Sequence, residues 1–305
     1  MPVKIRFLAI VLLLFMGTVW GAVFSLAKIA IDDGATPLGM VLWQVAFGGL
    51  FLLAIAMVRG HPPSLSLPVV RFNLVCGFVG STLPSVGLYA AAVHLSAGVI
   101  SIAVAFMPLA TYALSLLCRI EKLSPVRFLG IVFGFAAVAL LVLPEDSLPQ
   151  AGLAPWVLLA IGASSGYAVE NIYIALRRPP GLDSLGLGCG RQLAAAVILG
   201  PLVLVADQGI PLLTSWGPLQ WVVTAMAIGS ALAYTCFLVV IKLAGPVFAS
   251  LTAYLVTIAG IFWGMALFGE RHSHWIWLAL AMMLCGVALV RPRQRREVAA
   301  SQKAP

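Results

Sequence analysis

HLSAGVISIAVAFMPLATYALSLLCRIEKLSPVRFLGIVFGFAAVALLVL, residues 94–143, is the stretch whose reading decides the fold. It divides into an apolar segment, Ser96–Cys118, a polar hinge, Arg119–Pro125, and a second apolar segment, Val126–Leu143. The pattern returns near the C-terminus, where the apolar run Pro246–Phe268 meets the hinge Gly269–His274 and Trp275–Val290 follows. Glu121 aligns with Glu270, and Val138-Ala-Leu140 with Val287-Ala-Leu289, at one common offset. The start of the chain supplies an independent echo. Leu13, Leu14, Gly17, Gly21, Ile29 and Ala30 align with Leu158, Leu159, Gly162, Gly166, Ile174 and Ala175. Both segments carry Gly-xxx-Gly within an apolar run, a spacing that puts two glycines on one helix face and lets another backbone approach closely. Two repeated units are expected, residues 1–145 and 150–291, followed by a basic tail, 292–305.

Composition selects the solvent. The chain is 62% apolar and 9% charged, against roughly 45–50% and about 25% in a soluble domain. Such a chain belongs in a lipid bilayer. A hydrocarbon core is crossed by ~20 apolar residues, and ten runs approach that length: Phe7–Ile31, Leu38–Val58, Val69–Val93, Ser96–Cys118, Val126–Leu143, Leu153–Leu176, Leu185–Ala206, Trp216–Ile241, Pro246–Phe268 and Trp275–Val290. The first begins like a secretory signal, with Lys4 and Arg6 before it, but runs on too long for one. Breakers such as Asp32-Asp-Gly34, His61-Pro-Pro63, Pro144-Glu-Asp146, Pro179-Pro-Gly181 and Gly245-Pro246 mark short loops. No soluble catalytic domain fits between them.

Orientation follows from the basic residues near the helix ends. With the N-terminus inside, sixteen of the eighteen Lys and Arg fall on the inner side; Lys28 and Arg271 alone lie toward the outside. The basic run Arg291–Arg296 directly after a span is read as facing anionic lipid rather than nucleic acid. Five spans per unit make the second unit inverted relative to the first. The expected fold is an all-α membrane protein of ten transmembrane helices in two inverted five-helix repeats, with both termini cytoplasmic. Inverted repeats recur in secondary transporters, where two near-equivalent packings give inward-open and outward-open states.

The segment LSAGVISIAVAFMPLATYALSLLCRIEKLSPVRFLGIVFGFAAVALLV resembles the repeat unit of EamA-type carriers in the drug/metabolite transporter superfamily. The shared features are a small-residue helix start, the mid-helix Pro108, an acidic hinge and a glycine-bearing closing helix. Ser250–Val290, with Phe268-Gly-Glu270, is similar to a second copy. The first copy reads Arg-Ile-Glu where Gly-Glu is commoner, and the second has Val256-Thr257 in place of the proline. The resemblance implies a carrier that exports amino acids or other small metabolites across an inner membrane.

Polar groups at membrane depth are costly and point to function. Glu170 is the one carboxylate well inside a span, and Arg191 on the next helix lies at equal distance from the Pro179-Pro180 turn. They are expected to pair, either as a structural lock or with Glu170 facing a cavity, carrying a proton or holding an ammonium group. Trp20, Tyr89, Tyr112, Tyr167, Tyr234, Tyr254 and Trp263 come from segments that the resemblance places at or near a central cavity. Such rings offer an apolar face with one hydrogen-bonding group, suited to amphipathic small molecules. Trp156, Trp216, Trp221, Trp275 and Trp277 fit interfacial belts instead. Lys28 is expected to snorkel, His61, His94, His272 and His274 to be solvated, and Gln44 and Asn171 to bond helix to helix. Ser81, Thr82, Pro84 and Pro108 are expected to loosen their helices.

The same residues bear on other functional classes. Gly162-Ala-Ser-Ser-Gly166 spells the G-x-S-x-G of serine hydrolases, yet no histidine lies at membrane depth to serve as base. There is no Walker A sequence and no domain for ATP. The five cysteines have no metal-ligand or disulfide spacing, so neither metal nor cofactor is expected. The resulting expectation is a non-enzymatic secondary transporter with a small-molecule substrate, exporting amino acids by preference. An uptake carrier or a channel for a nucleoside, sugar or drug-like cation is the alternative. Oligomeric state stays open.

Overall fold

The computed structural model describes residues 3–60, 62–144, 146–148, 150, 152–210, 216–244 and 251–290. The basic tail 292–305, His61 and Gly245-Pro246 lie outside the described residues. Among those described, all regular structure is helical, as a chain in lipid requires when each backbone N–H and C=O must find a partner within its own segment.

In chain order the elements are α1 (Val3–Asp32), α2 (Pro37–Val58), α3 (Leu67–Gly77), a π-helical turn (Phe78–Thr82), α4 (Leu83–Ala92), α5 (Ala97–Val104), α6 (Met107–Leu117), α7 (Pro125–Val142), α8 (Ala154–Arg177), α9 (Ser184–Val205), α10 (Pro218–Ala244), α11 (Thr252–Phe268) and α12 (His274–Leu289). The π turn joins α3 to α4 in one rod, and α5 and α6 form another. Among the described residues eight rods are long and apolar enough to cross a membrane; α11 and α12, as described, are shorter apolar helices.

Local chemistry sets the ends. Thr36 accepts a hydrogen bond from the Gly39 N–H at 3.1 Å, with Pro37 first in α2, and Asp183 accepts from the Gly186 N–H at 2.8 Å to start α9. α11 stops at Gly269, whose φ of +62° suits a residue without Cβ. The third rod is interrupted where Ser81, Thr82 and Pro84 cluster. The fourth breaks at Ala105-Phe106, just before Pro108.

Packing mixes the two sequence halves. α1 lies against α10 and α11, α2 against α9 and α10, the α3–α4 rod against α8 and α9, the α5–α6 rod against α8 and α11, and α7 against α12. Exchanging each of the first five rods with the rod five places later maps this set of pairings onto itself. The second, third, seventh and eighth rods form one group, and the fourth, fifth, ninth and tenth another. α1 and α8, which the exchange relates, each pack on both groups. The largest core cluster, built around Ile100, Ile102, Leu109, Leu141 and Ile276, fills the second group and reaches α8.

Candidate functional site

A cavity of about 630 Å³ opens between the two groups. Trp20, Tyr89, Tyr112, Tyr167, Tyr234 and Tyr254 line it, together with Gln44, Thr111, Asn171, Arg191, Gln192 and Ser230. It reaches the Glu121 hinge, where Glu121, Arg127 and Val290 form part of its wall, and no residue of 93–97 or 268–274 contributes. Trp263 stands elsewhere. Its indole N–H donates to the Thr18 carbonyl at 3.2 Å, tying α11 to α1 outside the cavity.

Two polar constellations hold the lining rings. The Tyr89 hydroxyl donates to Gln44 Oε1 at 2.6 Å, and Gln44 Nε2 donates to Ser230 Oγ at 3.2 Å. One amide thus joins α2, α4 and α10 while facing the cavity. At the Glu121 end Arg127 pairs with Glu121, and its guanidinium lies 4.9 Å from the centre of the Tyr112 ring. The Ser124 N–H donates to the Tyr112 hydroxyl at 3.0 Å. Asn171 donates to Thr111 Oγ1 at 3.4 Å, and the Tyr234 hydroxyl to the Ser184 carbonyl at 3.2 Å.

Glu170 and Arg191 come together across α8 and α9, with Arg191 Nη1 3.1 Å from Oε1 and 3.0 Å from Oε2. Their exposures differ: 23% for the Arg191 side chain, 3% for that of Glu170. Arg191 lines the cavity and Glu170 does not. Of the two readings expected for the pair, a structural lock and a carboxylate facing the cavity, the second is not met: the Glu170 carboxylate packs into the space that Gly80, in the π turn, leaves by having no side chain. A Cβ there would overlap Glu170. The carboxylate is packed against backbone, and the guanidinium lies on the cavity side of it.

The Glu270 hinge is built differently from the Glu121 hinge. Glu270 accepts from the Ala97 N–H at 2.9 Å and the Gly98 N–H at 3.3 Å, capping α5, where the positive end of the helix dipole favours an anion. Lys28 Nζ stands 3.8 Å from Glu270 Oε1 and 5.2 Å from the centre of the Phe268 ring. Lys28 is therefore engaged by the hinge rather than snorkelling freely. His272, expected to be solvated, has a side chain 2% exposed with Nε2 3.4 Å from Glu270 Oε2. The cap draws the hinge onto Gly98, which has no Cβ to keep the imidazole away. Burial holds the His272 pKa below the ordinary 6.5, partly opposed by the Glu270 charge. His94, also expected to be solvated, is exposed and stacks on Trp156 with ring centres 3.9 Å apart.

The glycines divide. A Cβ on Gly17 would strike Leu255, one on Gly21 would stand 2.8 Å from the Gly260 nitrogen, and one on Gly166 would stand 3.0 Å from the Val79 carbonyl oxygen. Gly162 is exposed with open space around it, so the close approach expected there is absent. Ser164 sits inside α8 and donates to the Ala103 and Ile161 carbonyls at 3.0 and 2.9 Å. That arrangement lacks the strand-to-helix elbow of a hydrolase nucleophile. Among the described residues no group of three or more His, Cys, Asp or Glu side chains could hold a metal ion.

Sequence reading missed Gln192, Ser230, Gly80 and Gly264. The first two are polar residues inside apolar runs, which was signal enough. The glycines matter because each lets a carboxylate pack onto a helix backbone, Gly80 for Glu170 and Gly264 for Glu270, and no spacing rule shows that.

Comparison with known proteins gives a consistent result. The profile of a family described as "EamA-like transporter family" matches twice, at residues 7–143 and 154–291. "Uncharacterized inner membrane transporter YedA" of Escherichia coli (strain K12) is 28% identical over 279 residues, covering 89% of this chain and 87% of that protein. "Uncharacterized transporter YvbV" of Bacillus subtilis (strain 168) is 29% identical over 167 residues, 53% of this chain and 52% of that protein. A solved structure described as "Crystal structure of protein" superposes with a TM-score of 0.58 at 17% identity, covering 97% of this chain and 99% of that one, a likeness of fold.

Proposed function

The chain belongs to the EamA-like transporter family, a membrane transporter and not an enzyme, and from that premise we propose that it exports small organic metabolites, amino acids first, across an inner membrane by alternating access. The observation that carries the reading is the aromatic-lined cavity between two helix groups, which reaches the Glu121 hinge and stops short of the Glu270 hinge. Such an asymmetric space is what one extreme of an alternating cycle leaves. In this reading the ten rods span the bilayer as two inverted repeats, 1–145 and 150–291, with both termini and the basic tail cytoplasmic. The exchange of packing partners between rods five places apart supports the repeat, and the bias of basic residues supports the orientation. The name of the Escherichia coli relative supports the inner membrane.

Residues take roles accordingly. The rings of Trp20, Tyr89, Tyr112, Tyr167, Tyr234 and Tyr254 hold the apolar body of the substrate, and the Gln44 amide supplies polar contacts. The Glu270 cap on α5 closes the outer side. α1 and α8, touching both groups, are the axis about which the groups rock.

Counterflow tests the function: purified protein in liposomes, preloaded with an unlabelled amino acid, takes up the labelled one against its gradient. Saturable, stereoselective exchange is expected. Flux that never saturates marks a channel and contradicts the reading.

A further inference from the structure

We infer that Arg191 is the substrate's carboxylate anchor and that the cavity selects small monocarboxylates with an apolar or aromatic body, with or without an amino group. The inference rests on the carrier reading above and names the substrate class of the same site.

Among the described residues three charged ones line the cavity: Glu121, Arg127 and Arg191. Glu121 and Arg127 pair with each other at the hinge. The partner of Arg191, Glu170, is covered by the π turn and does not reach the cavity. What the mid-membrane part of the space presents is thus a guanidinium edge with its counter-charge behind it. A cationic substrate meets no free carboxylate there, whereas a carboxylate meets a positive group already held in place.

The guanidinium also has donors to spare. An arginine side chain carries five N–H bonds in a planar fork that matches a carboxylate. Glu170 takes hydrogen bonds from Nη1, and Nε has no partner. Nε itself is buried, so a substrate carboxylate docks on the exposed, cavity-facing edge of the guanidinium, where it gains a charge-assisted hydrogen bond. Glu170 is a positioning residue: it fixes the guanidinium plane from behind and offsets its charge while the site is empty.

The surroundings fit an apolar body. Tyr167, Tyr234 and Trp20 share the cavity with Arg191, and their faces accept hydrocarbon or another ring. Among the described residues no lining carboxylate is free to recognise an ammonium group, so the amino group of an amino acid is tolerated rather than required. That separates the site from one built for amines.

The test pairs molecules that share a body and differ in head group: 3-phenylpropionate against phenethylamine, and 4-methylpentanoate against isoamylamine, with phenylalanine and leucine beside them. Binding is read as the rise in thermal unfolding midpoint of the purified protein in detergent. The carboxylates and amino acids are expected to raise the midpoint and the amines to leave it unchanged. Arg191→Gln is expected to weaken carboxylate binding about 10- to 100-fold, the loss of one charged hydrogen-bonding partner. Because that variant leaves Glu170 uncompensated, Arg191→Gln combined with Glu170→Gln is the control that removes both charges and keeps the packing; it is expected to fold and to bind carboxylates no better than amines. Glu170→Gln alone is expected to lower KM and Vmax together in counterflow, since the anchor keeps its charge and loses its counter-ion. Amines that bind as well as carboxylates, carboxylate binding undiminished in the double variant, or no carboxylate binding to the wild type each overturn the anchor. Loss of saturable counterflow for every amino acid in the wild type overturns the carrier reading instead.

Discussion

Gly80 and Glu170 show how a single missing side chain arranges a membrane-embedded charge. The carboxylate sits where a Cβ on residue 80 would be, so Gly80→Ala must displace it from Arg191. Removing one partner of a buried pair costs about 3–5 kcal/mol, and displacement without removal is expected to cost a substantial part of that. A thermal unfolding midpoint for Gly80→Ala near that of wild type contradicts this account. The packing glycines make a matched set. Gly21→Leu and Gly166→Leu push against backbone atoms of neighbouring helices and are expected to destabilise by about 1–3 kcal/mol or more, as overpacking does. Gly162→Leu, with open space around it, is expected to be neutral, and equal loss in all three variants removes the distinction. At this scale the sequence was partly legible. Glu170 and Arg191 stood out as charges in apolar runs, equally far from a turn. Trp263 could not be separated from the cavity rings, because a helix position says which span a ring is on and not which neighbour its face meets. Nor could the covering of Glu170 be foreseen, since it depends on a glycine in a different span.

At the scale of elements, the two acidic hinges occupy related places in the chain and make different contacts. Glu270 caps α5 and draws in Lys28 and His272, while Glu121 pairs with Arg127. Glu270→Gln removes the charge from the α5 N-terminus and is expected to speed hydrogen exchange at the Ala97 and Gly98 amides, with unchanged protection contradicting the cap. The hinge also responds to pH. The folded-state pKa of His272 is depressed, so the packed ring stays neutral below the pH at which the free imidazole, with a pKa of about 6.5, takes a proton. The open hinge therefore binds more protons than the closed one under acid, and closure loses stability as pH falls through the free imidazole's pKa of about 6.5. The groups facing His272 are Glu270, which favours protonation, Lys28 behind it, and the uncharged Trp277 ring. Amide exchange at Ala97, corrected for its intrinsic pH dependence, is expected to accelerate at the acid end in wild type and far less in His272→Gln. Equal acceleration in both assigns the effect to another group. The break in the fourth rod and the softening of the third were readable from Pro108 and from the Ser81, Thr82, Pro84 cluster. The burial of His272 was not, because it follows from a cap made across 172 residues of chain.

At the scale of the molecule, the two sequence echoes pointed to two units, and the structure interleaves them. Each rod packs chiefly on rods of the other half, so neither half encloses the cavity by itself. Hydropathy located nine of the ten apolar helical segments to within a few residues, since lipid imposes length and polarity on each of them separately; the start of the ninth, expected at Pro246, lies outside the described residues, and α11 is described from Thr252. Hydropathy carried no information on which rods adjoin, because that depends on surface shape between rods that are all apolar. In the proposed cycle the two groups, joined through α1 and α8, rock so that one end of the cavity closes while the other opens. Cysteine pairs for spin labels follow from the groups. Arg59→Cys with Lys122→Cys spans them at the Glu121 end, and Asp207→Cys with Arg271→Cys spans them at the Glu270 end; all four side chains are exposed. The direct measurement is the pair of label distances in lipid nanodiscs as a transported amino acid is added. The account expects a second population in which the Arg59–Lys122 distance shortens as the Asp207–Arg271 distance lengthens. Distances that move together, or a cavity that stays open at one end whatever is bound, contradict it.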